Sequence, residues 1–387
     1  MTFPSRDETS PTGGGTYADL DAASSEPLHP AARQVLLAAI DQGYADPRRL
    51  HHGARTARLL LGNAREAVAG SLGVRTGEVT FTASGTDAVH RGLLGLMRGR
   101  ERAGRTLVHS AVEHSAVIHA ARWAQSPTRV VPVTPQGLVT PEAVMGALAE
   151  AGEPVGVLAV QHANHEVGTV QPVADIAAST DVPLFVDACA SAGRLPLPDG
   201  WAVAAGSAHK WGGPAGVGLL LVRTGARWRN PFPGDDRVDE RSSGFENVPG
   251  ALAAAAALQA VVAERDERNA REHALVERIR QAVAQLPDVE VVGEPVGRLP
   301  HLVTFSCLYV DGEALVHELD RRGFGIASGS ACTASTLEPS HVLAAMGALT
   351  HGNVRLAVGR GTTDADVSAF LAALPDVVTE LRARVGL

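Results

Sequence analysis

Aromatic side chains are scarce in this sequence, at 4% of its 387 residues. With so little Phe, Tyr and Trp, a core has to be built from Ala, Val and Leu, and the 45% apolar content is enough to build one. Cysteine is scarcer still. Three in so long a chain cannot form a disulfide framework and point to a reducing compartment. There is no apolar run long enough to span a bilayer and no secretory signal, so a soluble cytoplasmic protein without membrane contact is expected. There is no block of like charge and no basic stripe. With a formal net charge of −8, direct binding of nucleic acid is not expected. CxxC and HExxH patterns are missing, and the 15 histidines show no clear set of ligands, so no metal is expected. Arginine far outnumbers lysine.

The residues that are present divide the chain. Residues 1–16 are polar, end in a glycine triplet and read as a disordered lead-in. A helix is predicted after Pro30, stopping near Gly43, and a second over residues 53–69. Apolar runs of strand length recur at 78–82, 106–109, 155–161, 184–186 and 217–222, with helical stretches between several of them. That alternation predicts an α/β domain with a largely parallel sheet, extending to residue 250. From 251 the character changes. One long helix is expected as far as about residue 286, its charged turns 264–272 forming a solvated face. Strands at 289–292, 302–306 and 354–357 and helices at 313–322 and 364–385 make a smaller α+β domain over 251–387.

Six stretches carry chemistry. Ser328-Gly329-Ser330-Ala331-Cys332-Thr333-Ala334 sets a cysteine among residues with no apolar anchor, so Cys332 reads as a reachable thiol on an exposed loop. In Ala83-Ser84-Gly85-Thr86-Asp87, a strand passes through small residues into a helix. Backbone N–H groups at Gly85 and the hydroxyl of Thr86 suit a phosphate there, although an ordinary helix cap has the same pattern. Asp187 closes an apolar strand at its carboxyl end, where ligands of open α/β sheets sit. A buried acid there needs a cationic partner, such as a protonated pyridine nitrogen or a structural ion pair. Cys189, two residues on, reads as a small packed residue.

The remaining three complete the set. In Ser207-Ala208-His209-Lys210-Trp211-Gly212-Gly213, a lysine stands among groups that could hold a phosphate, and a desolvated lysine is a nucleophile for aldehydes. His114, after a strand, can stack on a flat ring and move protons near neutral pH. Arg355 lies in an apolar strand-like run. Its planar fork fits a carboxylate, from a ligand or from a structural salt bridge. Arg360 reads as solvated.

Taken together and in this order, these motifs resemble the cysteine desulfurases, pyridoxal-phosphate enzymes of the aminotransferase class V group. The resemblance runs from Tyr17 nearly to the end of the chain. It rests most on Ser-Gly-Ser-Ala-Cys-Thr followed by Leu-Glu-Pro-Ser, on Ser-x-His-Lys followed by Gly-Pro, and on His162-Ala163-Asn164-His165-Glu166-Val167-Gly168. It implies an aspartate-aminotransferase-like fold (fold type I). Residues 17–250 would be the large cofactor-binding domain and 251–387 the small domain carrying the cysteine loop. It also implies a homodimer that converts L-cysteine to L-alanine, leaving a persulfide on Cys332 for an acceptor protein, whether for iron–sulfur cluster assembly, tRNA thiolation, DNA phosphorothioation or a sulfur-containing natural product.

By the same resemblance Lys210 would bind pyridoxal 5'-phosphate covalently, and Asp187 would pair with its ring nitrogen. His114 would stack on the ring and take part in proton transfer. Gly85, Thr86, Ser207 and His209 would hold the phosphate, and Arg355 and Asn164 would meet the substrate. Departures concentrate around the ring. His165 stands where the family has a second Asn near the ring hydroxyl, and Ala190 where it has a Gln. Phe245 stands where a neighbouring subunit's threonine would touch the phosphate. Two other readings fit the same residues: a selenocysteine lyase, and a non-catalytic family member acting as a scaffold.

Overall fold

The computed structural model describes residues 17–42, 44–234, 240–328, 339–384 and 386. The expected lead-in over 1–16 and the cysteine at 332 lie outside the described residues.

The described chain begins with β1 (Ala18–Asp19), α1 (Pro30–Gln42) and α2 (His52–Leu72). Alternating elements follow: β2 (Val79–Thr82), α3 (Gly85–Arg100), β3 (Thr106–Ser110), α4 (Ser115–Ala124), β4 (Thr128–Val131), α5 (Pro141–Ala149), β5 (Val155–Ala159), α6 (Val173–Ala178), β6 (Leu184–Asp187), β7 (Trp201–Ser207) and β8 (Gly218–Val222). After these come α7 (Val248–Ala263), α8 (Arg265–Val283), β9 (Val289–Val292), β10 (Leu302–Cys307), α9 (Gly312–Arg321), β11 (Phe324–Gly325), β12 (Ala327–Ser328), α10 (His341–Met346), β13 (Asn353–Ala357) and α11 (Asp364–Arg384).

Seven strands form one sheet in the order β2-β8-β7-β6-β5-β3-β4. All neighbours pair in parallel except β2–β8 and β8–β7, so β8 alone runs against the rest. The period-2 pattern of the strands puts alternate residues into two cores. Val186, Ala204, Leu219 and Leu221 pack on one face with α1, α2 and α7, and Phe185, Ala205 and Leu220 pack on the other with α3 and α4. The near absence of aromatics shapes the first face. Ala32, Ala39, Ala57, Ala64 and most of the alanines of α7 are buried, which lets three helices approach closely.

A second sheet, β12-β13-β10-β9, is antiparallel throughout. It forms another core with α8, α9 and α11, to which Ala18 and Leu20 also belong through the β1–β11 pairing. The first core takes in α7 as far as Val261. The second takes up α8 from Leu275, and the first strand of the chain joins it.

Two expectations change here. The long helix after residue 250 is two, α7 and α8, meeting at Glu264. The charged turns at its start are not all solvated. Arg268 is 9% exposed and Glu272 is fully buried, and both belong to a four-membered cluster. Arg194 contacts Glu26 at 2.6 Å and Glu272 at 2.7 Å, and Arg268 contacts Glu26 at 2.8 Å and Glu272 at 2.6 Å. Two buried cations face two buried anions, the condition under which charge is tolerated inside a protein. Arg360 keeps a third of its side chain exposed, in line with a solvated residue, while pairing with Glu264 at 2.5 Å. Among the described residues no helix is long and apolar enough to cross a membrane.

Candidate active site

The site is set by where strands end. β6 and β7 are parallel neighbours with Asp187 opposite Ala205, so both finish at the same edge of the sheet. β6 delivers Asp187 there. β7 runs on into a tight turn, Ala208–Trp211, that carries His209 and Lys210. The turn is closed by Gly212 at φ +81°, where a Cβ would come within 3.2 Å of the Pro27 carbonyl oxygen. Strand β7 has no counterpart among the sequence predictions. Its residues Trp-Ala-Val-Ala-Ala-Gly-Ser lack the β-branched run that marks a strand.

Around this edge lies a cavity of ≈ 190 Å³ lined by Gly85, Thr86, His114, His165, Asp187, Ser207, His209 and Lys210, together with Cys189 and Ala190. Eight of the expected site residues therefore meet in one place. Two larger cavities, of ≈ 280 and ≈ 330 Å³, lie elsewhere and gather no comparable set of groups. Lys210 is the only lysine in the chain. That count is a sequence signal stronger than the general excess of arginine: solvent-facing lysines have all been dispensed with, and this one stands at the cavity.

One end of the cavity lies at the start of α3. Ser84 caps α3 by accepting a hydrogen bond from the Asp87 backbone N–H at 3.0 Å. The first N–H groups of α3, at Gly85 and Thr86, have no partner within the helix and add to its positive end. Gly85 is pressed against β7, since a Cβ there would lie 2.6 Å from Ser207 Cβ and 2.7 Å from its Oγ. Ser207 Oγ lies 3.2 Å from His209 Nδ1. Burial first, then the Lys210 cation, pushes the His209 pKa below the usual histidine range.

The other end holds the ring-binding candidates. Asp187 is 7% exposed, and its Oδ1 accepts a hydrogen bond from the Cys189 backbone N–H at 2.9 Å. His114 caps α4: its Nδ1 accepts from the Ala116 N–H at 3.1 Å, which leaves the neutral ring's proton on Nε2. The His114 and His165 rings meet edge to face, centroids 4.9 Å apart. His165 Nε2 lies 3.5 Å from Glu166 Oε1, and Ser340 donates to Glu166 Oε2 at 2.6 Å. Glu113, the residue before His114, is fully buried, and burial pushes its pKa up to about 8. Its Oε1 accepts from Ser110 Oγ at 2.5 Å and from the Gln161 N–H at 2.9 Å. The thiol of Cys189 is pushed well above the usual range, first by burial and then by Asp187, which suits a packed residue rather than a nucleophile.

Two expected site residues are placed differently. Asn164 is fully buried, and its amide is used on backbone. Its Oδ1 accepts from the Glu166 and Val167 N–H groups, both at 2.8 Å, and its Nδ2 donates to the Val112 carbonyl at 3.1 Å. It does not line the cavity; it braces the turn that presents His165. Arg355, 4% exposed, donates to the His165 carbonyl at 3.0 Å, to Asp21 at 3.0 Å and to Ser24 at 2.7 Å. It therefore stands immediately behind His165 with a carboxylate of its own chain already on its fork.

Three comparisons bear on this site. The aminotransferase class-V family model matches residues 17–370. An IscS-like cysteine desulfurase of Mycobacterium tuberculosis is 35% identical, with 94% of this chain and 97% of that protein covered. The cysteine desulfurase IscS of Dictyoglomus turgidum is 31% identical, with 94% and 95% covered. Among solved structures, a NifS-like protein superposes with a TM-score of 0.86 at 26% identity, covering 95% of this chain and all of that one.

Proposed function

The chain belongs to the aminotransferase class-V family, among its cysteine desulfurases, and from that premise we propose that it converts L-cysteine to L-alanine with pyridoxal 5'-phosphate held at Lys210. The observation that carries the assignment to these residues is one cavity in which the only lysine, a buried carboxylate, the His114 imidazole and the start of α3 meet. The residues fit the cofactor. The Gly85–Ser207 contact leaves no room for a side chain where a phosphate would approach the start of α3, and Asp187 is a buried carboxylate suited to a ring N–H⁺. When bound, the cofactor supplies an electron sink for the substrate's Cα.

The protein's own groups do the rest. Gly85, Thr86, Ser207 and His209 would hold the phosphate. Asp187 would keep the ring nitrogen protonated, and His114, with its Nε2 proton, would be the imidazole that meets the ring. Arg355 exchanges Asp21 for the substrate carboxylate, the strongest match its fork can make. Lys210 would take the proton from the substrate's Cα and give it back once the C–S bond has broken, so that alanine keeps its Cα–H. Cys332 attacks as the thiolate. An S–S bond forms to the substrate sulfur, the C–S bond breaks, and its electron pair stays on Cβ, which takes a proton to become the methyl group of alanine. The persulfide passes to an acceptor protein in the cytoplasm. The exposed rings of Tyr44 and Phe245, with centroids 6.4 Å apart, support a homodimer in which a second copy covers them.

Mixing the purified protein with pyridoxal phosphate and L-cysteine tests the proposal. Visible absorbance from the bound cofactor is expected in the wild type and not in Lys210→Ala. Alanine and sulfane sulfur are expected in equal amounts, and sulfur transfer should be lost in Cys332→Ala. A wild type that stays colourless, or one that makes no alanine, would overturn it. Running L-selenocysteine in parallel shows which substrate the enzyme prefers.

A further inference from the structure

Beside Lys210 a second chamber of ≈ 10 Å³ adjoins the cavity, walled by Ala22, Ala23, Ala190, Leu299 and His301 as well as His165 and the lysine. Its size is that of about one water molecule. His165, Ala190 and Lys210 also line the main cavity, so the two spaces share a wall. The surroundings are mostly apolar, since Ala22, Ala23, Leu299 and Leu302 belong to one core cluster. His301 is the exception. It is 2% exposed, and its Nδ1 is buried with no hydrogen-bond partner among the described residues. A buried ring nitrogen is rarely left so, and something normally completes it.

The charges around His301 define what that can be. Burial, and then Arg194, Arg268, Arg355 and Lys210, hold its pKa well below the usual range, so the ring is neutral. Arg194 and Arg268 are balanced by Glu26 and Glu272, and Arg355 by Asp21. Among the described residues Lys210 has no carboxylate within ion-pair distance. The groups that share its cavity are Asp187, His114, His165, His209 and Cys189.

We infer that His301 is a positioning residue for Lys210: its Nδ1 accepts a hydrogen bond, relayed by one water in the small chamber, from the lysine nitrogen and so favours that nitrogen's protonated state. The inference rests on the reading that Lys210 holds the cofactor and carries a proton from Cα. A wholly apolar chamber would offer the lysine nothing behind it. Neutral His301 gives it an acceptor that is not a competing anion.

The test uses the holoenzyme, titrated with pH while the visible absorbance of the lysine–cofactor linkage is followed. His301→Leu suits the apolar wall and removes the acceptor, and His301→Gln keeps one. Loss of one hydrogen bond to a charged group should lower the protonation midpoint by about one pH unit in His301→Leu, and His301→Gln should restore most of it. If His301→Leu does not fold, His301→Val removes the acceptor with less volume and is read in the same way. A coloured His301→Leu protein with the wild-type midpoint, or equal shifts in the Leu and Gln variants, overturns the inference and leaves the proposed function standing. A wild type that never gains colour overturns both.

Discussion

Replacing Gly85 by Ala tests whether the start of α3 is an anion cup. The new Cβ would lie 2.6 Å from Ser207 Cβ, 2.7 Å from Ser207 Oγ and 3.1 Å from Cys189 Sγ. Carbon atoms prefer about 3.5–4.0 Å, so the overlap is about 1 Å. Neither side can yield freely. Ser207 is 2% exposed on a strand paired through Gly218. Further along α3, Gly92 sits where a Cβ would be 2.7 Å from the Phe185 ring, so the helix is already tight against the sheet. Overpacking of this kind costs about 1–3 kcal/mol of stability. A shift of the α3 N-terminus also forfeits about one charge-assisted hydrogen bond to a phosphate, weakening cofactor binding by about ten- to a hundredfold. Urea denaturation of the apoprotein measures the first effect, and titration with pyridoxal phosphate followed by visible absorbance measures the second. Adding Ser207→Gly should recover much of the stability but not the affinity, because the hydroxyl is lost. A Gly85→Ala protein with both wild-type stability and wild-type affinity would refute the close contact and the phosphate assignment together.

Arg355→Ala should lower kcat/KM for L-cysteine by about thirty- to several-hundred-fold, the effect of losing a charged hydrogen-bond partner; an unchanged value in steady-state assays removes Arg355 from substrate recognition. Glu26→Gln leaves two buried arginines facing one carboxylate, and should cost about 3–5 kcal/mol in denaturant unfolding at neutral pH; a loss below about 1 kcal/mol would mean that the cluster relaxes or hydrates. Glu113 holds its proton in the folded state up to about pH 8 but releases it near 4.5 when unfolded. The folded state therefore binds the extra proton between those values, and stability falls as pH rises through that window, with a slope approaching about 1.4 kcal/mol per unit. Glu113→Gln is neutral at every pH and should flatten this part of the stability–pH curve, read by urea midpoints at several pH values. A wild type whose stability does not fall over that window would show Glu113 to be ionised.

The parts of the fold that could be read from sequence were those where pattern and packing coincide. Strands with continuous Val and Leu, such as β8, announce themselves, and so do helices framed by Pro30 or capped by Ser84. The meeting of Asp187 and Lys210 at one sheet edge was legible because each stands at or just past the end of an apolar strand. Strand β7 was not, because it is built from Ala and Gly and owes its conformation to the neighbours that pair with it. Arg268 and Glu272 read as solvent-facing because a charge run normally is. Their partners Arg194 and Glu26 are far away in the chain, and no local window joins the four. Asn164 shows the limit from the other side. An amide beside a histidine that lines the cavity looks like a ligand, yet its hydrogen bonds all go to backbone, a choice that only the folded turn decides. His301 carried no signal at all, since its meaning comes from the lysine it backs.

A chain with one lysine has an experimental use that most enzymes lack. Grown on isotope-labelled lysine, the protein would carry its label at a single side chain, on the wall of the cavity. Every lysine resonance in its magnetic-resonance spectrum would belong to Lys210 without assignment. The attachment of the cofactor, the arrival of substrate and the protonation of one nitrogen could then be watched directly, against a background that is silent by composition.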